Sequence, residues 1–244
     1  MSALTSRLLI LNNFLMYEKP FEAEEVQNYS QKCCVALVLD TSLSMTGSSI
    51  DQLNAGIRSF LKEIQADNAN LGQKLELGIV TFDSNVRRVS EPKLVEFIQF
   101  RSLEVEGTTM MVDGVREGIK MVEQRKEWYK STGQKYFRPW VIMITDGDPD
   151  SHQQGELPKL AAEIRTGMDN EDFWFMAIGV AGAKLSTLEL ICHEKMKPRM
   201  LAGLKFSEFF RWLSSTIADV AKGQNINDAM KKHSDDGWDG GFKI

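Results

Sequence analysis

Four short apolar runs constrain this chain more than any other feature: Cys33 to Leu39, Leu75 to Phe82, Trp140 to Thr145 and Phe173 to Val180. Each is too short for an ordinary helix, rich in β-branched and aromatic residues, and apolar at successive positions. That is how a strand covered on both faces reads. Between the runs the period changes. Ile50, Leu53, Ile57, Leu61 and Ile64 make one helical stripe, and Val112, Val115, Ile119 and Val122 make another. Further helices are expected over Leu157 to Met168, with Pro158 tolerated in the first turn, over residues 184–192, and along Phe206, Phe209, Phe210, Leu213, Ile217 and Val220. Val86 and Val89 suit a hairpin continuation of the second strand. Leu103 to Val105 and Met200-Leu201 suit short strands. This alternation predicts an α/β fold with a Rossmann-like, doubly wound, mainly parallel sheet flanked by helices.

With 244 residues, 43% of them hydrophobic, the chain can fill one generous core without disulfide staples. Three cysteines (Cys33, Cys34, Cys192) are too few for a disulfide framework and suggest a reducing, cytoplasmic setting. Cys192 and His193 adjoin, but no second Cys/His pair stands at zinc-finger spacing. The apolar stretch Arg7 to Met16 is broken by Asn12 and Asn13 and lacks a cleavage site; it is too short to span a bilayer and is expected to dock on the domain. The expected division is an N-terminal extension over 1–32, the main domain over 33–221 and a polar, glycine-rich, irregular tail over 222–244. A net charge of -5 argues against nucleic acid as partner, and no membrane contact is expected. The basic stretch Arg125, Lys126, Lys130, Lys135 and Arg138 reads as a solvated helix end and its loop.

The residues just beyond the strands carry the chemistry. Asp40-Thr41-Ser42-Leu43-Ser44 closes the first run, Thr145-Asp146-Gly147-Asp148 closes the third, and Gly107-Thr108-Thr109 precedes the helix beginning near Val112. Open parallel sheets bind ligands at the carboxyl ends of their strands, which would bring these segments to one edge. Carboxylates and hydroxyls form an all-oxygen donor set suited to a hard cation, Mg²⁺ first and Mn²⁺ or Ca²⁺ as alternatives. Each motif alone has an ordinary reading: a helix cap before Ile50, or an Asp-Gly turn. Their joint order at strand ends is what points to a metal.

Asp40-x-Ser42-x-Ser44, a later threonine and Thr145-Asp146-Gly147 resemble the metal-ion-dependent adhesion site of von Willebrand factor A domains, over roughly residues 33–221. The resemblance implies Asp40, Ser42, Ser44, Thr109 and Asp146 as ligands of the cation or of its waters, with a partner protein's Glu or Asp taking the last position. Placing Val115 at the usual apolar position of the following helix favours Thr109, with Thr108 the runner-up; Glu106-Gly107 stands where two glycines are common. The segment from Phe206 to Thr216 and the Trp-containing tail resemble the bacterial TerY-type branch linked to tellurium resistance and stress. There the domain is a scaffold beside kinase-like and phosphatase-like proteins, not an enzyme.

Two rivals follow from the same residues. Asp146, Asp148 and Asp150 could serve a magnesium-dependent nucleic-acid enzyme of TOPRIM-like type, although Asp40-Thr41-Ser42 stands where that fold wants a glutamate. An adaptor subunit of an ATPase assembly is the other; any motor would be a separate chain, since no phosphate-binding Gly-x-x-x-x-Gly-Lys loop occurs. Ser42 lacks a nucleophile elbow. His152 is expected to be solvated. Trp212, off the stripe of its helix, is expected to be exposed as a contact residue.

Overall fold

The computed structural model describes Phe21 and residues 24–67, 71–180 and 182–233; the stretch Arg7 to Met16 lies outside them. Six strands form one sheet in the order β3-β2-β1-β4-β5-β6. They are β1 (Cys33–Asp40), β2 (Leu75–Phe82), β3 (Val86–Leu94), β4 (Trp140–Thr145), β5 (Trp174–Gly179) and β6 (Arg199–Met200). All neighbours are parallel except β3, which returns along β2 as the predicted hairpin. Every residue of β1, β2 and β4 is buried, as the continuous apolar runs require.

Seven helices flank the sheet among the described residues: α1 (Ser48–Ala66), α2 (Met111–Thr132), α3 (Ser151–Gln154), α4 (Leu157–Asp169), α5 (Leu185–Ile191), α6 (Phe206–Val220) and α7 (Ile226–Lys232). The first stripe is buried as expected, from Ile50 to Ile64. Helix α2 lies close on the sheet because glycine faces it. A Cβ at Gly118 would collide with Val38, and one at Gly114 would come within 2.7 Å of Phe82. The structure thus bears out the doubly wound α/β class.

Four local expectations fail, each for a visible reason. Leu103 to Val105 is not a strand. The Asn54 side chain on α1 takes both backbone groups of Leu103, donating to its carbonyl (2.9 Å) and accepting from its N–H (2.7 Å). The stretch after Lys222 is not wholly irregular, since it contains α7. That helix packs on α6 and covers Trp212, which is buried and not exposed; the indole N–H points at the Met230 carbonyl and Arg199 lies over the ring.

The basic stretch is the fourth. Arg125 and Lys126 are buried, not solvated. Arg125 occupies an inward position of α2, in the series Val115, Gly118, Val122, Arg125, Tyr129. Its guanidinium forks onto Glu76 of β2 (2.6 and 2.9 Å) and onto Glu24 of the N-terminal segment (2.6 and 2.7 Å), with the Trp128 ring beneath it. Lys126 reaches Asp172 (2.9 Å) and Glu123 (2.9 Å). Nearby, the buried Lys32 ammonium donates to the carbonyls of Asn28, Ser30 and Gln73. The amino end of the sheet is a closed polar box.

Candidate metal centre

Strand register places the carboxyl edge. Leu39 pairs with Ile144, so Asp40 comes beside Thr145, the last residue of β4. The Thr145 hydroxyl donates to Asp40 Oδ2 (2.6 Å). Asp40 Oδ1 accepts from the Ser42 backbone N–H (2.8 Å) and from the Ser42 hydroxyl (2.6 Å). Ser42 Oγ lies 2.9 Å from Ser44 Oγ, and the Ser44 hydroxyl donates to Asp146 Oδ1 (2.6 Å). Four predicted residues, Asp40, Ser42, Ser44 and Asp146, therefore meet in one line of oxygens. A hydroxyl has one proton to give. With the Ser42 proton on Asp40 and the Ser44 proton on Asp146, none remains for the contact between the two serines. Oxygen lone pairs then face each other, an arrangement that a cation satisfies.

The site is layered from core to surface. Asp40, Ser42 and Thr145 are buried, Asp146 is 9% exposed and Ser44 is open to solvent. Burial lifts the Asp40 carboxyl to about 6; hydrogen bonds from Ser42 and Thr145 pull it down, and the Asp146 charge pushes it further up. No Lys, Arg or His pairs with Asp40 or Asp146 among the described residues. The helix-cap reading also loses its support. Helix α1 starts after Gly47 with no side-chain cap, and the serine hydroxyls point at each other and at carboxylates instead.

The two threonines separate. Thr108 is exposed and its hydroxyl engages Ser84 (3.2 Å), whereas Thr109 is buried and its hydroxyl has no hydrogen bond among the described residues. Gly107 sits at φ 61°, where a Cβ would collide with the Ser84 side chain, so this loop keeps its turn with a single glycine. Thr109 is tied to the loop after Asp146: its N–H donates to Asp150 Oδ1 (3.1 Å) and its carbonyl accepts from the Asp150 N–H (3.0 Å). Asp148 turns the other way, onto Lys184 (2.5 Å) and Thr187 (2.6 Å). His152 is exposed, as expected. His193 faces Asp169 (3.0 Å), and burial lifts the neighbouring Cys192 thiol to about 12. Sequence reasoning missed Thr145 as a partner of Asp40 and the exposed apolar Leu43 between the two serines.

The profile of the von Willebrand factor type A domain matches residues 35–210. The chain belongs to that family. Inter-alpha-trypsin inhibitor heavy chain H3 of Mesocricetus auratus is 27% identical over 136 residues, which is 55% of this chain and 15% of that protein. The chain thus spans only a small share of the length of the curated relative it matches. A solved D319A mutant of the PilB minor pilin from Streptococcus sanguinis shares the fold with TM-score 0.59 and 14% identity, covering 83% of this chain and 65% of that one. Proximal thread matrix protein 1 from the mussel byssus, solved with a zinc-occupied MIDAS motif, shares it with TM-score 0.51 and 21% identity, covering 81% and 46%. No helix among the described residues is long and apolar enough to cross a membrane.

Proposed function

We propose that this von Willebrand factor A domain is a metal-dependent protein-binding module whose cation sits among Asp40, Ser42, Ser44, Thr109 and Asp146. The observation that carries the reading is the proton shortfall along the Asp40–Ser42–Ser44–Asp146 line, whose two carboxylates pair with no Lys, Arg or His among the described residues. Hard oxygen donors suit Mg²⁺, with Mn²⁺ and Ca²⁺ close behind, and a hydroxyl-rich shell leaves the ion able to accept a partner's Glu or Asp. The zinc in the byssus protein supports a divalent ion at such a motif in a relative. Leu43, 59% exposed beside the site, offers the partner an apolar contact. Recognition is favoured over nucleic-acid chemistry because Asp148 and Asp150 are engaged by Lys184, Thr187 and Thr109 and do not converge as a metal pair.

The resemblance of the closing helix α6 to TerY-type proteins supports a scaffold for kinase-like and phosphatase-like partners in a tellurium-resistance or stress system. A reducing, cytoplasmic setting belongs to the same reading: Cys33, Cys34 and Cys192 are free, and burial holds the Cys33 and Cys192 thiols near 12. The test uses Ser44→Ala, because Ser44 is exposed and its loss should not disturb the core. Calorimetry of Mg²⁺ or Mn²⁺ into the full chain should show one site in the wild type and a weaker one in the variant. Partner capture should fail in EDTA. Heat of binding unchanged by Ser44→Ala would sink the assignment.

A further inference from the structure

We infer that Asp150 and Gln153 are positioning residues that lock the Thr109 loop to the loop carrying Asp146, so that the two segments act as one unit around the cation. The inference rests on the metal-centred reading above and adds two residues that do not themselves hold the ion. Its basis is a continuous set of bonds between segments about forty positions apart in sequence. Asp150 brackets Thr109 from both sides, accepting from its N–H (3.1 Å) and donating to its carbonyl (3.0 Å). One turn further, the buried Gln153 accepts from the Val112 N–H (2.9 Å), the start of α2, and donates to Asp113 Oδ2 (2.6 Å). Helix α2 has no side-chain cap of its own from Met110, so Gln153 supplies the missing acceptor from the opposite loop. The Gln153 N–H in turn donates to the Asp150 carbonyl (2.8 Å), which closes the pair into a rigid element.

The arrangement leaves the Thr109 hydroxyl without a hydrogen bond among the described residues while fixing its backbone at both polar atoms. That is the requirement for a ligand whose position is set by its surroundings. It also explains why the loop functions with only Gly107: its conformation is held from outside.

The test is a double-mutant cycle on the full chain, read by calorimetric titration with Mn²⁺, together with thermal melting. Asp150→Ala should weaken binding about tenfold, the lower end of what lost outer-sphere support costs. Asp150→Asn keeps the acceptor for the Thr109 N–H and should restore the wild-type affinity. In a Thr109→Val background Asp150→Ala should add no further loss. An equal loss in both backgrounds, or an Asp150→Asn variant as weak as Asp150→Ala, overturns the inference, since Asp150 would then act on the ion by its charge. If the wild type binds no Mn²⁺, the metal-centred reading fails. The lock is then read in the metal-free protein: Thr109 amide exchange should quicken in Asp150→Ala and not in Asp150→Asn, and equal exchange in both overturns it.

Discussion

At the amino end of the sheet, Glu76 and Glu24 close on the guanidinium of Arg125; at the carboxyl end, Asp40 and Asp146 share only two serine hydroxyls. Both ends hold a pair of acids, and in each pair one acid, Glu76 or Asp40, is a buried residue of a strand. The difference lies in who balances the charge. Arg125 is built into α2, so the amino end is complete in the chain itself. Among the described residues no Lys, Arg or His pairs with Asp40 or Asp146, and the least-buried member of their line, Ser44, opens outward. A pair of acids with a built-in counter-charge becomes costly once that counter-charge is removed, whereas a pair without one at an edge creates a demand for something from solution.

Breaking the internal counter-charge should have the largest effect. Arg125→Met leaves Glu76, whose side chain is only 3% exposed, buried without its partner. We expect a loss of about 3–5 kcal/mol in urea denaturation, the range for breaking a buried ion pair. A smaller loss would mean that Lys32 or water substitutes.

The carboxyl end should respond with the opposite sign. Asp40 has its folded-state pKa raised to about 6, so the folded chain holds that proton more tightly than the unfolded chain does. Stability from this group is present at low pH and is lost as pH rises from about 4 through about 6. In EDTA, Asp40→Asn should therefore melt higher than the wild type at pH 7, by up to about 3 kcal/mol, with the gap closing towards pH 4. Saturating Mg²⁺ should raise the wild type and leave Asp40→Asn unmoved. A pH-independent gap would show that Asp40 is not the unbalanced group.

The smallest effect separates the two acids of the amino end. Glu24 is 29% exposed at its side chain, and Glu76 still holds Arg125 in its absence. Glu24→Ala should cost about 1–2 kcal/mol in the same denaturation, the scale of a charge-assisted hydrogen bond partly open to water. It should leave Mn²⁺ affinity unchanged.

The main strands and the meeting of Asp40, Ser42, Ser44 and Asp146 were legible because both follow from local pattern. Continuous apolar runs have few alternatives, and the first and third end in Asp40-Thr41-Ser42 and Thr145-Asp146-Gly147. What escaped the sequence depended on neighbours distant along the chain. Arg125 stands in register with Val115, Gly118 and Val122, a signal that was available, but only Glu76 and Glu24 make that inward place tolerable. Trp212 was misplaced because α7, which covers it, has no strong stripe of its own. Leu103 carries strand-like residues, yet one amide from Asn54 outcompetes a ladder. Asp148 and Asp150 stand two apart and look like a pair, whereas the loop aims them at different elements.

Helix α2 begins two residues after Thr109 and reaches past Arg125, a rod of about 33 Å at the usual rise per residue. Its glycine contacts with Val38 and Phe82 leave no slack against the sheet. The chain thus has a girder running from the Thr109 loop to the clasp of its leading segment, and a tug at either tip is shared along its axis before any single loop must yield.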